Sequence, residues 1–291
     1  MVTTRQAIDP TTLTAIDVHV HLEAPKTGNA AEAAASKYFG DSGAPRDGAA
    51  LVEYYRSRRM ACVLFTVDER LTGRPRMSND AVLELARANP DVIIPFVSLD
   101  PTRGPEAVRE AKRLVGEGAR GLKLHPPLQQ FSPNDPLAYP LYEVFAEVRL
   151  PVLFHTGHSG IGTGMPGGGG VRLKYGNPML IDDVAVDFPD LPIILAHPSF
   201  PWQDEAISVC LHKRTVYVDL SGWSPKYFSA TLVQYANTLL KHKVLFGTDY
   251  PLITPDRWLS DFEKIAIRDE VRPLILKDNA LKLFGLDAAH D

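Results

Sequence analysis

The stretch Ala15-Ile16-Asp17-Val18-His19-Val20-His21-Leu22 alternates apolar and polar residues without a break. In an extended chain Asp17, His19 and His21 share one face, and Ile16, Val18, Val20 and Leu22 share the other. Two imidazoles at that spacing can grip one metal ion, and imidazole is the commonest protein ligand for zinc and its neighbours. The same stretch reads equally well as a half-buried strand that carries two histidines. Lys123, His125, His155, His197 and Asp249 are the other residues with chemical potential, and each alone has an ordinary explanation as packing, a rim charge or a turn cap. What decides between the readings is the set of elements that must bring them together.

Those elements alternate. Apolar runs at Cys62 to Val67, Val92 to Leu99, Gly121 to His125, Pro151 to His155, Pro192 to His197, Thr215 to Leu220 and Val244 to Asp249 read as strands. Amphipathic segments separate them, over Ala49 to Met60, Ser78 to Ala88, Pro105 to Val115, Pro140 to Val148, Pro178 to Phe188, Trp202 to Leu211 and Pro225 to Lys241. Ser78 has the chemistry of an N-cap. With Ala15 to Leu22 as the first strand, eight parallel strands with helical crossovers predict a (β/α)8 TIM barrel, closed by two or three extra C-terminal helices within Asp256 to Asp291. No glycine-rich dinucleotide turn follows the first strand, which argues against an open doubly wound sheet. In a barrel the catalytic groups stand at the C-terminal strand ends. By that rule His19, His21, Lys123, His125, His155, His197 and Asp249 all face one mouth, with Asp17 as a partner that orients one of the strand-one histidines.

The composition sets limits on function. All 291 residues fit one domain, and 31 Lys plus Arg against 35 Asp plus Glu give a net charge of -4 with 45% hydrophobic residues. No basic cluster suits nucleic acid, and no apolar run suits a membrane. Met1 to Thr14 lacks an apolar secretory core, and Cys62 and Cys210 read as reduced core residues, so the expected location is the cytoplasm.

Asp-Val-His-Val-His, Gly-Leu-Lys-Leu-His-Pro, Leu-Phe-His-Thr-Gly, Leu-Ala-His-Pro, Phe-Gly-Thr-Asp-Tyr-Pro and Asp-Asn-Ala-Leu-Lys-Leu-Phe-Gly occur in that order over residues 15 to 286. In motif and strand position they resemble the amidohydrolase superfamily. Within it they are similar to the amidohydrolase-related branch that includes aminocarboxymuconate semialdehyde decarboxylase and the resorcylate-type decarboxylases. The resemblance implies one divalent metal, zinc as a rule and manganese in some members, held by His19, His21, His155 and Asp249. It implies His197 as the residue that moves a proton or activates water, and pairing through the outer helices into a homodimer. Three imidazoles and a carboxylate are a donor set that suits Zn²⁺ and leaves room for water or a substrate oxygen.

Two reactions use those residues. One is decarboxylation of a small aromatic or enol acid, with His197 or Asp249 delivering a proton to carbon; the other is hydrolysis of a lactone, ester or amide, with Asp249 taking a proton from water. A barrel that binds a ligand without turnover would have no need of the histidines. Lys123 either bridges two metals as a carbamate, as in binuclear members of the superfamily, or binds a substrate carboxylate, the preferred reading. His125 is expected to touch substrate or to cap the turn at Pro126. The long insert Glu23 to Gly48 is expected to overhang the site. The glycine-rich segment Gly157 to Asn177 reads as a mobile lid or a surface loop, from which Arg172 or Lys174 could reach an acidic substrate, with Trp223 at the rim.

Overall fold

The architecture follows from where backbone groups of apolar, β-branched runs find partners. In the computed structural model, which describes residues 7–40 and 42–287, these runs form strands β1 Ala15–His21, β2 Met60–Phe65, β3 in two pieces (Ile93–Pro95 and Val97–Ser98), β4 Leu122–Leu124, β5 Val152–His155, β6 Ile193–Ala196, β7 Val216–Asp219 and β8 Val244–Leu245. Each pairs in parallel with the next. The two pieces of β3 flank Phe96, whose N–H still donates to Leu64 O at 2.9 Å. Closure comes from Val18 N donating to Phe246 O at 2.9 Å and His21 N to Tyr250 O at 2.8 Å. The result is the expected (β/α)8 barrel.

Its interior is packed rather than hollow. Ile16, Val18, Ala61, Val63, Phe65, Ile94, Phe96, Leu153, Ile194 and Leu245 fill the axis, while Val20, Cys62, Leu64, Leu122, Phe154 and Leu195 face the helical layer. Phe96 lies so close to Gly121 that a Cβ there would meet its ring at 2.3 Å. Helix boundaries follow the local chemistry. Asn29 and Glu32 form a reciprocal capping box at α1 (Ala30–Phe39), Asp47 caps α2 (Gly48–Ser57), and Ser78 caps Asn79–Ala88 as its sequence predicts. The helix expected over Pro225 to Lys241 is shorter: a 3₁₀ turn at Pro225–Tyr227 precedes Ala230–Ala236, which Ser229 caps. The C-terminal segment supplies Pro255–Phe262, a π-helical turn Leu274–Asp278 and Asn279–Leu283. Among the described residues, no helix is long and apolar enough to cross a membrane.

The face assignment of the first strand needs correction. Asp17 pairs with Cys62 but Val20 with Leu64, so β1 advances three residues while β2 advances two. A bulge of this kind inserts one extra residue and re-aims every side chain beyond it. Ile16 and Val18 therefore belong to the barrel axis, Val20 and Leu22 to the outer layer. Asp17 faces away from the mouth: its carboxylate accepts from the Tyr55 hydroxyl at 2.8 Å, Thr248 Oγ1 at 2.5 Å, Thr248 N at 3.0 Å and His19 N at 3.1 Å. It holds the backbone of His19, not either imidazole. β8 likewise ends at Leu245 rather than Asp249, because Phe246 N turns to Ile275 O.

Candidate metal centre

The strand ends converge on one cluster. His21 Nε2 lies 2.9 Å and His19 Nε2 3.3 Å from Asp249 Oδ1, and these three offer ligand atoms all within 4.8 Å of one another. Asp249 reaches this position from a left-handed backbone (φ 66°), its N–H fixed on His19 O at 3.0 Å. Such a conformation in a non-glycine residue stores strain that the surrounding structure must hold. Lys123, fully buried on β4, places Nζ 3.2 Å from His19 Nε2. His155 Nδ1 is 3.0 Å from His197 Nε2, and the buried His155 Nε2 has no hydrogen-bond partner among the described residues.

The hydrogen bonds assign the ring protons. Asp219 Oδ2 accepts from His19 Nδ1 at 3.0 Å, which leaves the Nε2 lone pair directed at Asp249. Ser221 Oγ lies 2.8 Å from His197 Nδ1 and 3.0 Å from His19 Nδ1. If His197 donates from Nδ1 to Ser221, its Nε2 accepts from His155 Nδ1, and the orphaned His155 Nε2 also keeps a lone pair. An unpaired buried acceptor at the same strand ends as the three clustered groups fits a site for a cation. The donor set therefore suits a divalent metal, with His19, His21 and Asp249 mutually in range and His155 adjacent through His197.

Electrostatics keep the imidazoles neutral. Burial holds His19, His125 and His155 well below the usual histidine range, with Lys123 adding to the effect on His19 and His125, and His125 to that on His155. His197 is lowered by burial against the upward pull of Asp249 and Asp219. Burial alone would raise the Asp249 carboxyl, but the His21 hydrogen bond and the neighbouring imidazoles hold it well below the carboxylate range. The Lys123 ammonium is pushed down by burial to about 7, with Asp249 and Asp219 opposing. Neutral histidine and ionised carboxylate are the forms that ligate metals.

Asp219 escapes the motif reading although it ends β7. The strand-end rule that selected the histidines would have found it. Both of its oxygens are used, since Oδ1 also accepts from His197 N at 3.1 Å and Ser221 N at 2.9 Å. Gly222 follows (φ 74°), and a Cβ there would come 2.7 Å from His197 Nδ1, so glycine is what lets this loop lie against the imidazole.

Above the cluster is a cavity of about 280 Å³. His19, His21, Lys123, His125, His155, His197, Trp223 and Asp249 all line it. The His125 imidazole does not cap the turn at Pro126; it stacks on His155 with ring centroids 3.8 Å apart. The insert overhangs as expected, with Lys26, Glu32, Tyr38, Phe39 and Arg46 on the wall. From the glycine-rich segment His158, Ser159, Gly160 and Ile161 reach the lining. Arg172 and Lys174 do not: Arg172 is exposed and hydrogen-bonded to Gln130, and Lys174 lies near the Tyr175 ring. The segment is built of 3₁₀ turns at Pro166–Gly170 and Leu173–Gly176, and it directs both cations away from the mouth.

Barrel and cluster together define a class: a (β/α)8 protein with a His/Asp cluster at its C-terminal mouth whose donor atoms could hold a metal ion. The amidohydrolase family profile matches residues 16–286, and this chain belongs to that family. Its fold is similar to that of an uncharacterised TIM-barrel protein from Bordetella bronchiseptica, with 25% identity over 94% of this chain and 98% of that one and a TM-score of 0.76. It is also similar to 2,6-dihydroxybenzoate decarboxylase from Rhizobium (17% identity, 95% and 100% coverage, TM-score 0.67). A probable 2-pyrone-4,6-dicarboxylic acid hydrolase from Acinetobacter baumannii with citric acid bound shares the fold at 16% identity, 94% and 100% coverage and a TM-score of 0.60. No curated protein matches.

Proposed function

We propose that this protein is a metal-dependent carboxy-lyase acting on a small aromatic or enol carboxylic acid. The observation that carries the reading is Lys123, an amine buried at the cavity floor 3.2 Å from His19 Nε2, which a bound carboxylate would hold in its protonated form. A lysine so placed gives a carboxylate beside the ligand cluster an ionic partner in a low-dielectric site, where such a pair is strong. His19, His21, Asp249 and His155 would hold one divalent ion, zinc by the chemistry of three imidazoles and a carboxylate, with manganese as the other candidate. When bound, that ion supplies Lewis-acid charge that polarises an oxygen or lowers the pKa of water.

The remaining steps belong to the chain. Lys123 orients the carboxylate, and the packed floor excludes water from it. The bond from ring or enol carbon to the carboxyl carbon breaks, CO₂ leaves, and the carbon takes a proton. His197 lines the cavity and is hydrogen-bonded to His155 and Ser221, so it is the group assigned to deliver that proton. Trp223 and His125 offer flat faces to a planar ring.

Hydrolysis of a lactone, ester or amide is the second reading. It is favoured by an Asp249 carboxyl held well below the usual range and a His197 imidazole lowered by burial, since both are then proton acceptors. Neighbours of the fold include both reaction types. The deciding experiment measures metal per chain by plasma mass spectrometry, on protein purified without chelators and with His19→Ala as control. It then follows CO₂ release from 2,6-dihydroxybenzoate-type acids and ring opening of lactone acids. One equivalent and CO₂ release support the lyase; two equivalents with ring opening support hydrolysis through a modified Lys123.

A further inference from the structure

Among the described imidazoles of the cavity floor, His155 is held face to face by another ring. His125 lies parallel to it, with 10° between the planes and 3.8 Å between the centroids. At its edge, His155 Nδ1 meets His197 Nε2 at 3.0 Å, and those two rings are inclined at 68°. The two contacts do different work. A hydrogen bond at Nδ1 fixes one corner of the ring and leaves it free to tip about that corner, whereas a parallel ring on its face stops the tipping. Together they set the direction of His155 Nε2, the buried nitrogen that has no partner among the described residues.

His125 is itself braced to serve as that surface. It directly follows β4, and Pro126 after it disfavours a helical backbone there (φ -129°, ψ 75°). The short helical turn Pro126–Gln129 then folds back, so that Gln129 Oε1 accepts from His125 N at 2.8 Å. The buried Gln129 amide also donates through Nε2 to Asp68 O at 2.9 Å and Leu99 O at 3.0 Å, in the segments just past β2 and β3. One side chain thus ties three strand ends. His125 Nδ1 is buried without a hydrogen-bond partner among the described residues, which costs free energy, so the contribution of this ring to its surroundings is its face. Burial holds both stacked imidazoles well below the usual histidine range, and no like charges oppose each other across the stack.

We propose that His125 is a positioning residue: its face fixes the plane of His155 and with it the aim of Nε2, and Gln129 holds His125 in place. This rests on the proposed reading of His155 as a metal ligand and adds the two residues that hold that ligand. The face of His125 turned to His155 is spent there and is not offered to substrate. What position 125 then requires is a flat ring rather than a basic nitrogen, so an aromatic residue can replace it and an aliphatic one cannot.

The test strips the full-length protein of metal and reloads it with Co²⁺, reading affinity by chelator competition and ligand geometry from the visible absorption of the bound ion. His125→Leu should weaken Co²⁺ binding roughly 10- to 100-fold and shift the absorption bands, the scale seen when a partner that orients a ligand is lost. His125→Phe should stay within about threefold of wild type with its spectrum kept. Gln129→Met, which keeps length and loses the three hydrogen bonds, should weaken binding by about three- to tenfold and shift the bands as His125→Leu does. If His125→Leu does not fold, the contrast between His125→Phe and Gln129→Met carries the same test. Wild-type affinity and spectrum in His125→Leu or in Gln129→Met, whatever their melting temperatures, would overturn the assignment. So would a His125→Phe protein that loses as much affinity as the leucine variant, because a nitrogen and not the face would then matter; in either case the metal-site reading stands. No Co²⁺ uptake by wild-type protein, or a His155→Ala protein with wild-type affinity and spectrum, would overturn both.

Discussion

The floor and the rim of the cavity are built on opposite terms. On the floor, residues from different strands satisfy one another: Asp219 links β7 to His19 and to the His197 backbone, and Ser221 lies between the His19 and His197 rings. The rim is made of three loops whose bonds are mostly internal to each loop or made to the loop beside it, as in the Glu32 capping box, the Glu69–Thr72 contact and the Arg46–Glu23 pair. Chemistry placed on strands is fixed by the whole barrel, whereas recognition placed on loops can change without disturbing it.

Breaking the floor should have the largest effect. His21→Ala or Asp249→Ala removes one of three clustered ligands, so bound metal should fall to a small fraction of an equivalent and turnover to background, both read on the same preparation. Asp219→Asn comes next. It removes the charge that fixes the His19 ring, and metal affinity measured by chelator competition should drop about 10- to 100-fold with the fold retained by circular dichroism.

Beneath the floor, Asp17 makes the expected effect one of pH. Burial outweighs its four hydrogen bonds and raises the folded-state carboxyl from 3.8 to about 7. The native state then keeps its proton longer than the unfolded chain. That contribution to stability is complete below about pH 4 and is lost as pH rises towards 7. Wild-type melting temperature should therefore fall relative to Asp17→Asn between those pH values, and a constant gap would refute the assignment. At the rim, Tyr38→Ala should do least. The ring is half exposed beside Gly160, and its loss should shift KM by about two- to fivefold with kcat unchanged.

The barrel was legible because parallel strands buried on both faces leave continuous apolar runs, and helices between them leave a different period. Lys123, His125, His155, His197, Trp223 and Asp249 could be placed at the mouth from that alternation alone. What escaped is what depends on pairing between distant segments. Nothing within Asp17-Val18-His19 announces a bulge; it is visible only against Cys62 and Leu64, and it is locked by Thr248 from the other end of the chain. Arg172 was misplaced for a related reason: composition shows that a glycine-rich loop is cationic, but the positive φ values at Gly167, Gly168 and Gly169 decide which way its cations point.

The bulge also says what a transplant would require. A His-x-His pair copied onto a regular strand of another barrel would follow that strand's own alternation, and the residues before it that fill the axis here, Ile16 and Val18, would fall on the opposite face. To carry this centre elsewhere, a designer would have to move the extra residue together with the Asp17, Tyr55 and Thr248 lock that holds it. The portable unit is a piece of backbone with its clasp, in which the two ligands are passengers.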